Sequence, residues 1–232
     1  MFRRRKKQSN VNTTRHLITK TNPRSPISEQ YRTIRTNLQF SSVDTELRSM
    51  LITSSGPAEG KSSVVSNLAI VFAQQGKKVL LIDADMRKPT MHYTFRLDNR
   101  QGLSSVLVGE TALAETVVNS GVDNLDILSC GPIPPNPSEL LGSKAMGKML
   151  KEAMANYDLV IFDTPPVLAV TDAQILANIC DGVLMVVRSK KTEYEAAKKA
   201  QQSLEPAKAK MLGVVLNDRE QKKSNYYYYY GT

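Results

Sequence analysis

A short apolar run, Met50–Thr53, leads into Ser54-Ser55-Gly56-Pro57-Ala58-Glu59-Gly60-Lys61-Ser62-Ser63, and a helical stretch follows. This order constrains the fold more than any other feature of the chain. It matches the phosphate loop G-x-x-x-x-G-K-[ST], which sits between a strand and a helix. Ser55 stands where the pattern has its first glycine. Backbone N–H groups of such a loop converge on phosphate oxygens, and the helix start adds positive potential. The residues Gly56, Pro57, Ala58, Glu59, Gly60, Lys61, Ser62 and Ser63 form the candidate cradle. Lys61 would reach the β- and γ-phosphates, and the Ser62 hydroxyl would ligate Mg²⁺.

The rest of the chain alternates in the same way. Apolar runs at Met50–Thr53, Val79–Ile82, Leu125–Leu128, Leu159–Phe162, Val183–Val187 and Met211–Leu216 predict strands. Helices are predicted over 27–40, 61–75, 102–108, 110–119, 143–156, 171–178 and 192–204. Strands this apolar fit a sheet covered on both faces, and the alternation indicates parallel βα units. The expected fold is therefore α/β: one domain with a P-loop NTPase-like, mostly parallel central sheet and helices on both faces. Residues 1–26 are polar and end in Pro23 and Pro26, which predicts a flexible basic arm. Residues 27–220 form the domain, and 221–232 an unstructured tail.

Two further predicted strands end in acids. Ile82-Asp83-Ala84-Asp85-Met86-Arg87-Lys88-Pro89 carries Asp83 and Asp85, and Phe162-Asp163-Thr164-Pro165-Pro166 carries Asp163. Ligands of open α/β sheets bind at the carboxyl ends of strands. Three carboxylates and Ser62 can therefore converge beside the phosphates. Mg²⁺ keeps several waters and takes one or two carboxylates directly, which leaves one acid free to act as a base. Arg87 either steers phosphate or substrate charge or forms a structural ion pair.

The charge is uneven. Of 31 Lys and Arg and 22 acids, ten bases and one acid (Glu29) fall in residues 1–35, leaving 21 of each elsewhere. A neutral body argues against a nucleic-acid-binding face. Arg3-Arg4-Arg5-Lys6-Lys7 is either a solvated arm or a contact for an anionic leaflet. No apolar segment resembles a signal peptide or approaches the ~20 residues needed to span a bilayer. Cys130 and Cys180 form no disulfide framework and are expected as buried thiols.

The C-terminal seven residues read Tyr226-Tyr227-Tyr228-Tyr229-Tyr230-Gly231-Thr232, holding five of the nine tyrosines. Such a tail has no core of its own for five rings, and a phenol there can enter another molecule's active site. With the three motifs above and the segment Gly131-Pro132-Ile133-Pro134-Pro135-Asn136-Pro137-Ser138-Glu139-Leu140-Leu141, the chain resembles the bacterial P-loop tyrosine kinases of capsule and exopolysaccharide production. The resemblance covers nearly the whole chain.

It implies ATP- and Mg²⁺-dependent autophosphorylation of Tyr226, Tyr227, Tyr228, Tyr229 and Tyr230 between neighbouring subunits of a ring, an octamer in this family. It implies catalytic roles for Lys61, Asp83 and Asp85. Asp83 is expected as the base, and Ser62, Asp85 and Asp163 hold the metal and its waters, the roles of Asp83 and Asp85 being interchangeable on sequence alone. Asn217, ending Gly213-Val214-Val215-Leu216-Asn217, would read the adenine edge, or else simply form a turn. Glu29, Arg32 and Arg35 would make the subunit contact; their spacing of three puts them on one helix face.

The expected setting is the separate cytoplasmic form, peripheral at the inner face of the membrane through a transmembrane adaptor of polysaccharide export that activates it. Other protein tyrosines are further expected substrates. The rival is a deviant P-loop ATPase acting as a nucleotide-dependent scaffold or a partition and positioning protein. Partition ATPases of this superfamily carry a second lysine five residues before the main one; Gly56 occupies that position here.

Overall fold

The computed structural model describes residues 17–41, 46–207 and 210–220. In chain order the elements are α1 (Ile18–Thr21), α2 (Pro26–Phe40), β1 (Ser49–Ser54), α3 (Lys61–Ala73), β2 (Val79–Asp83), α4 (Met91–Phe95), α5 (Leu103–Val108), α6 (Leu113–Thr116), β3 (Val118–Val122) and β4 (Leu125–Leu128). There follow α7 (Pro137–Leu141), α8 (Lys144–Asn156), β5 (Leu159–Asp163), α9 (Asp172–Ala177), β6 (Gly182–Arg188), α10 (Tyr194–Leu204) and β7 (Lys210–Asn217). The strands form one sheet in the order β3-β4-β2-β5-β1-β6-β7. Every pairing is parallel except β3 with β4. The architecture is the P-loop NTPase-like α/β domain that the alternating pattern indicates.

Strands β1, β2 and β5 are buried at every position. Their side chains alternate between two cores. Leu51, Leu80, Ile82, Val160 and Phe162 face Leu103, Leu141, Met149, Leu150, Leu176 and Leu204. Met50, Ile52, Leu81 and Ile161 face α3 and Leu38 of α2. Both faces being dry explains why these strands read as continuous apolar runs rather than as alternation.

Helix α3 buries nearly its whole surface, Lys61 and Ser62 included, because α1 and α2 cover its outer side. Thr19 in α1 is fully buried. Its N–H donates to Asn67 Oδ1 at 3.0 Å, its hydroxyl to the same oxygen at 2.8 Å, and its carbonyl accepts from Gln74 Nε2 at 3.0 Å. Residues 17–26, assigned to the arm by their polarity, are therefore packed onto the domain. Polar side chains serve here as tethers, which a composition argument cannot see. The remaining arm, residues 1–16, and the tyrosine cluster, Tyr226–Tyr230, lie outside the described residues.

Helix α2 starts slightly earlier than expected, because Ser25 accepts from Ser28 N–H as its N-cap and Pro26 occupies the first turn. A second correction concerns 110–119. Only Leu113–Thr116 is helical; Val118–Val122 pairs antiparallel to β4 as the sheet's edge. The hairpin turns through Asn124 at φ 62°. Asn119, Ser120 and Gly121 make this edge strand too polar to read as one.

Candidate active site

The carboxyl ends of β1, β2, β5, β6 and β7 meet around the phosphate loop. Helix α3 begins at Lys61 with Gly60 as its N-cap at φ 85°, and Ala58 precedes it at φ 62°. The left-handed backbone calls for glycine at Gly60, and a Cβ there, 2.1 Å from Asn217 Nδ2, would also displace that amide. The first amides of α3 lack intrahelical partners and suit an anion. The two left-handed residues curl the chain around that position.

The Lys61 ammonium is buried and forms an ion pair with Asp163 Oδ1. It lies 3.3 Å from Ser62 Oγ and 3.9 Å from Asp85 Oδ2. Asp163 is fully buried, and its second oxygen, Oδ2, has no hydrogen-bond partner. An orphaned oxygen on the carboxylate that shares Lys61 with Ser62 fits a hydrated Mg²⁺ arriving with nucleotide. The described residues hold no ready-made cluster of metal ligands. A cation would therefore depend on phosphate oxygens and water for most of its shell.

Asp83 is also fully buried. Its Oδ2 accepts from the Thr90 and Met91 amides, both at 2.8 Å, and its Oδ1 from Asp85 N–H at 3.3 Å. Burial, reinforced by Asp163, raises its carboxyl to about 7, against the pull of those amides and Lys61. Burial likewise raises Asp85, opposed by Lys61; its Oδ1 accepts from Lys88 N–H at 3.0 Å. A carboxyl near 7 can exchange a proton at working pH, whereas Asp163 is engaged by Lys61. The structure thus brings Lys61, Ser62, Asp83, Asp85 and Asp163 together as the sequence predicted.

Asn217 Nδ2 donates to the Glu59 carbonyl at 2.9 Å, which leaves its Oδ1 as an acceptor at the loop's flank. Arg87 resolves as an ion pair: Nε and Nη2 fork onto Asp172 at 2.9 and 3.0 Å, and the Ser138 hydroxyl donates to Asp172 Oδ1 at 2.7 Å. Sequence reasoning missed Asp172, Ser138, Arg188 and Thr192, whose partners are remote in the chain. Glu29 pairs with Arg32, whose Nη2 also donates to the Pro23 carbonyl at 2.7 Å. Arg35 Nη1 donates to the Val71 carbonyl at 2.9 Å. Both arginines are thus engaged within the chain. Cys130 is a buried free thiol, whereas Cys180 is half-buried.

A phosphate loop between a buried strand and a buried helix, a retracted lysine and acids at two neighbouring strand ends define a nucleotide-binding P-loop protein. The AAA domain family matches residues 52–211. Tyrosine-protein kinase YwqD of Bacillus subtilis is 55% identical over 218 residues, 94% of this chain and 92% of that protein. Putative tyrosine-protein kinase CapB of Staphylococcus aureus is 44% identical, covering 84% of this chain and 86% of that one. The crystal structure of the chimerical protein CapA2B2 superposes with a TM-score of 0.86 at 44% identity, over 88% of this chain and 90% of that one. The chain belongs to the bacterial tyrosine-kinase family of capsule biosynthesis. No helix among the described residues is long and apolar enough to cross a membrane.

Proposed function

We propose that this protein is an ATP- and Mg²⁺-dependent protein tyrosine kinase. It phosphorylates its own tail, Tyr226–Tyr230, between subunits of a homo-oligomeric ring of eight, and also other protein tyrosines. It thereby regulates capsular and exopolysaccharide synthesis and export. The observation that carries the reading is the buried set of Lys61, Asp83, Asp85 and Asp163 beside the phosphate loop, in a chain 55% identical to a named tyrosine kinase. The lysine that marks partition ATPases is replaced by Gly56, which disfavours the rival. Glu29, Arg32 and Arg35 are the proposed subunit contact. A membrane adaptor holds the protein at the inner face of the membrane and activates it.

Bound Mg·ATP supplies the transferable phosphoryl group and the charge that holds it in line. The chain's own residues do the positioning, which is most of catalysis in phosphoryl transfer. The loop amides of Gly56 and of residues 58–63 would hold phosphate oxygens. With nucleotide bound, Lys61 would turn from Asp163 toward the phosphates, which would free Asp163 Oδ1 beside the already unpartnered Oδ2. Ser62 and Asp163, with Asp85, would hold the cation and its waters. Asp83, raised to about 7 by burial, takes the proton of the incoming phenol. Asn217, held on the Glu59 carbonyl, would read the adenine edge.

Mass spectrometry of the chain incubated with Mg·ATP and an adaptor tail tests this. Phosphate on residues 226–230 is expected, and none after Lys61→Met. ATP hydrolysis without phosphate on any of the five tyrosines would overturn the autokinase reading in favour of a scaffold ATPase.

A further inference from the structure

Glu59 places an acid inside a loop built to bind anions, where its charge opposes the phosphates. Its side chain is 7% exposed and points away from open solvent. The Ser55 N–H donates to its Oε2 at 3.0 Å, and the Ser55 hydroxyl to its Oε1 at 2.6 Å. The Thr192 hydroxyl, 133 residues away in the chain, also donates to Oε1 at 2.6 Å. Thr192 Oγ1 in turn accepts from Arg188 N–H at 2.8 Å, and Arg188 Nη1 donates to the Ala58 carbonyl at 3.2 Å. Asn217 holds the carbonyl of Glu59 itself. The ends of β6 and β7 thus grip residues 58 and 59 through both side chain and backbone, across the two left-handed residues that shape the cradle.

We propose that Glu59 and Thr192 form a latch: Glu59 is a positioning residue, and the segment 188–192 sets the phosphate loop's conformation before nucleotide arrives. The inference rests on the nucleotide-binding reading of the site. Ser55, standing where the motif has glycine, has a use here, since its hydroxyl and amide both close the loop onto Glu59. The latch holds the carboxylate against Ser55 and Thr192, and so turned away from the helix N-terminus where phosphate would bind. Freed, the same charge could swing toward the phosphates and repel them. Preorganisation of this kind shows in affinity, because a loop already shaped loses less entropy on binding.

Titration of fluorescent ADP with Mg²⁺ into the full chain separates this from the kinase reading, because no transfer is needed. Thr192→Val removes one hydroxyl from a half-buried side chain and should weaken Mg·ADP roughly three- to tenfold, the worth of about one hydrogen bond. Thr192→Ser should restore affinity to within about twofold. Hydrogen exchange of the Ser55 amide in nucleotide-free protein should quicken in Thr192→Val, with the unfolding midpoint nearly unchanged. Unchanged affinity and Ser55 exchange in Thr192→Val would overturn the latch. So would equal weakening in Thr192→Ser. If the parent chain itself binds no Mg·ADP, the nucleotide site fails instead, and Ser55 exchange alone decides the latch.

Discussion

Asp83 and Asp163 are register partners at the last positions of the adjacent parallel strands β2 and β5. Both side chains are fully buried, and only Asp163 has Lys61 directly against it. The two carboxyl groups are not equivalent: Asp83, without the cation directly against it, is pushed up by burial and by its neighbour Asp163. The strand register thus supports the proposed division of roles, with Asp163 as the ion-pair partner of Lys61 and Asp83 as the proposed proton acceptor.

A pH dependence follows from burial of Asp83. Its carboxyl moves from 3.8 to about 7 on folding. Between those values the folded chain holds a proton that the unfolded chain has released. Stability therefore falls as pH rises across that window and levels off above it. Asp85, raised in the same direction, adds to the trend. Urea unfolding of metal- and nucleotide-free protein should show the advantage of the parent over Asp83→Asn shrinking between about pH 4 and about pH 7. A difference that stays flat or grows with pH would refute the assignment.

Removing Lys61 should expose the structural side of the ion pair. Lys61→Met leaves Asp163 buried without its cation, a loss of about 3 kcal/mol in unfolding free energy. Adding Asp163→Asn removes the stranded charge and should recover most of that loss. Neither protein should transfer phosphate. Paired urea melts and a phosphotyrosine assay check both statements; a single variant as stable as the parent would contradict them.

Much of this site is legible in the chain because it is local. Asp83, Asp85 and Asp163 stand at or within two residues of a strand's end, and Lys61 and Ser62 open the helix that follows β1 through one loop, so finding the strands finds the site. The polar second layer is not. Arg87 and Asp172 are 85 residues apart, and Glu59 and Thr192 are 133 apart. Such pairs exist only once the sheet order has brought β6 beside β1 and α9 beneath the loop after β2. The same holds for α1, a four-residue helix fixed by Thr19 on Asn67, and for β3, which no periodicity marks.

Gly60 offers a test confined to a few atoms. A methyl group there would meet Asn217 Nδ2 at 2.1 Å, at a backbone φ of 85°. Gly60→Ala should therefore break the Asn217–Glu59 hydrogen bond, cost more than about 1 kcal/mol, and abolish measurable Mg·ADP binding. Shortening the neighbour as well, in Gly60→Ala with Asn217→Ala, relieves the clash but not the φ. Stability should recover in part while binding stays lost. Full recovery of binding in the double variant would mean that space, not backbone conformation, requires the glycine.

Arg87 separates an ion pair from a substrate contact. Its guanidinium forks onto Asp172, which is fully buried and otherwise receives the Ser138 hydroxyl. Arg87 is itself partly open to water, with its side chain 38% exposed, so solvent will reach into the gap when it is removed. Arg87→Ala should cost about 2 kcal/mol, less than a fully dry pair. Arg87→Lys keeps the charge but cannot make the two-pronged contact, and should fall between. Asp172→Asn placed on Arg87→Ala should recover stability, because no charge is then left stranded. The pair also anchors the loop that carries Asp85 to α9. Phosphotransfer should accordingly fall in Arg87→Ala and return in part in the Lys variant. If Arg87→Ala keeps full stability yet loses transfer, Arg87 acts on substrate charge and not on Asp172.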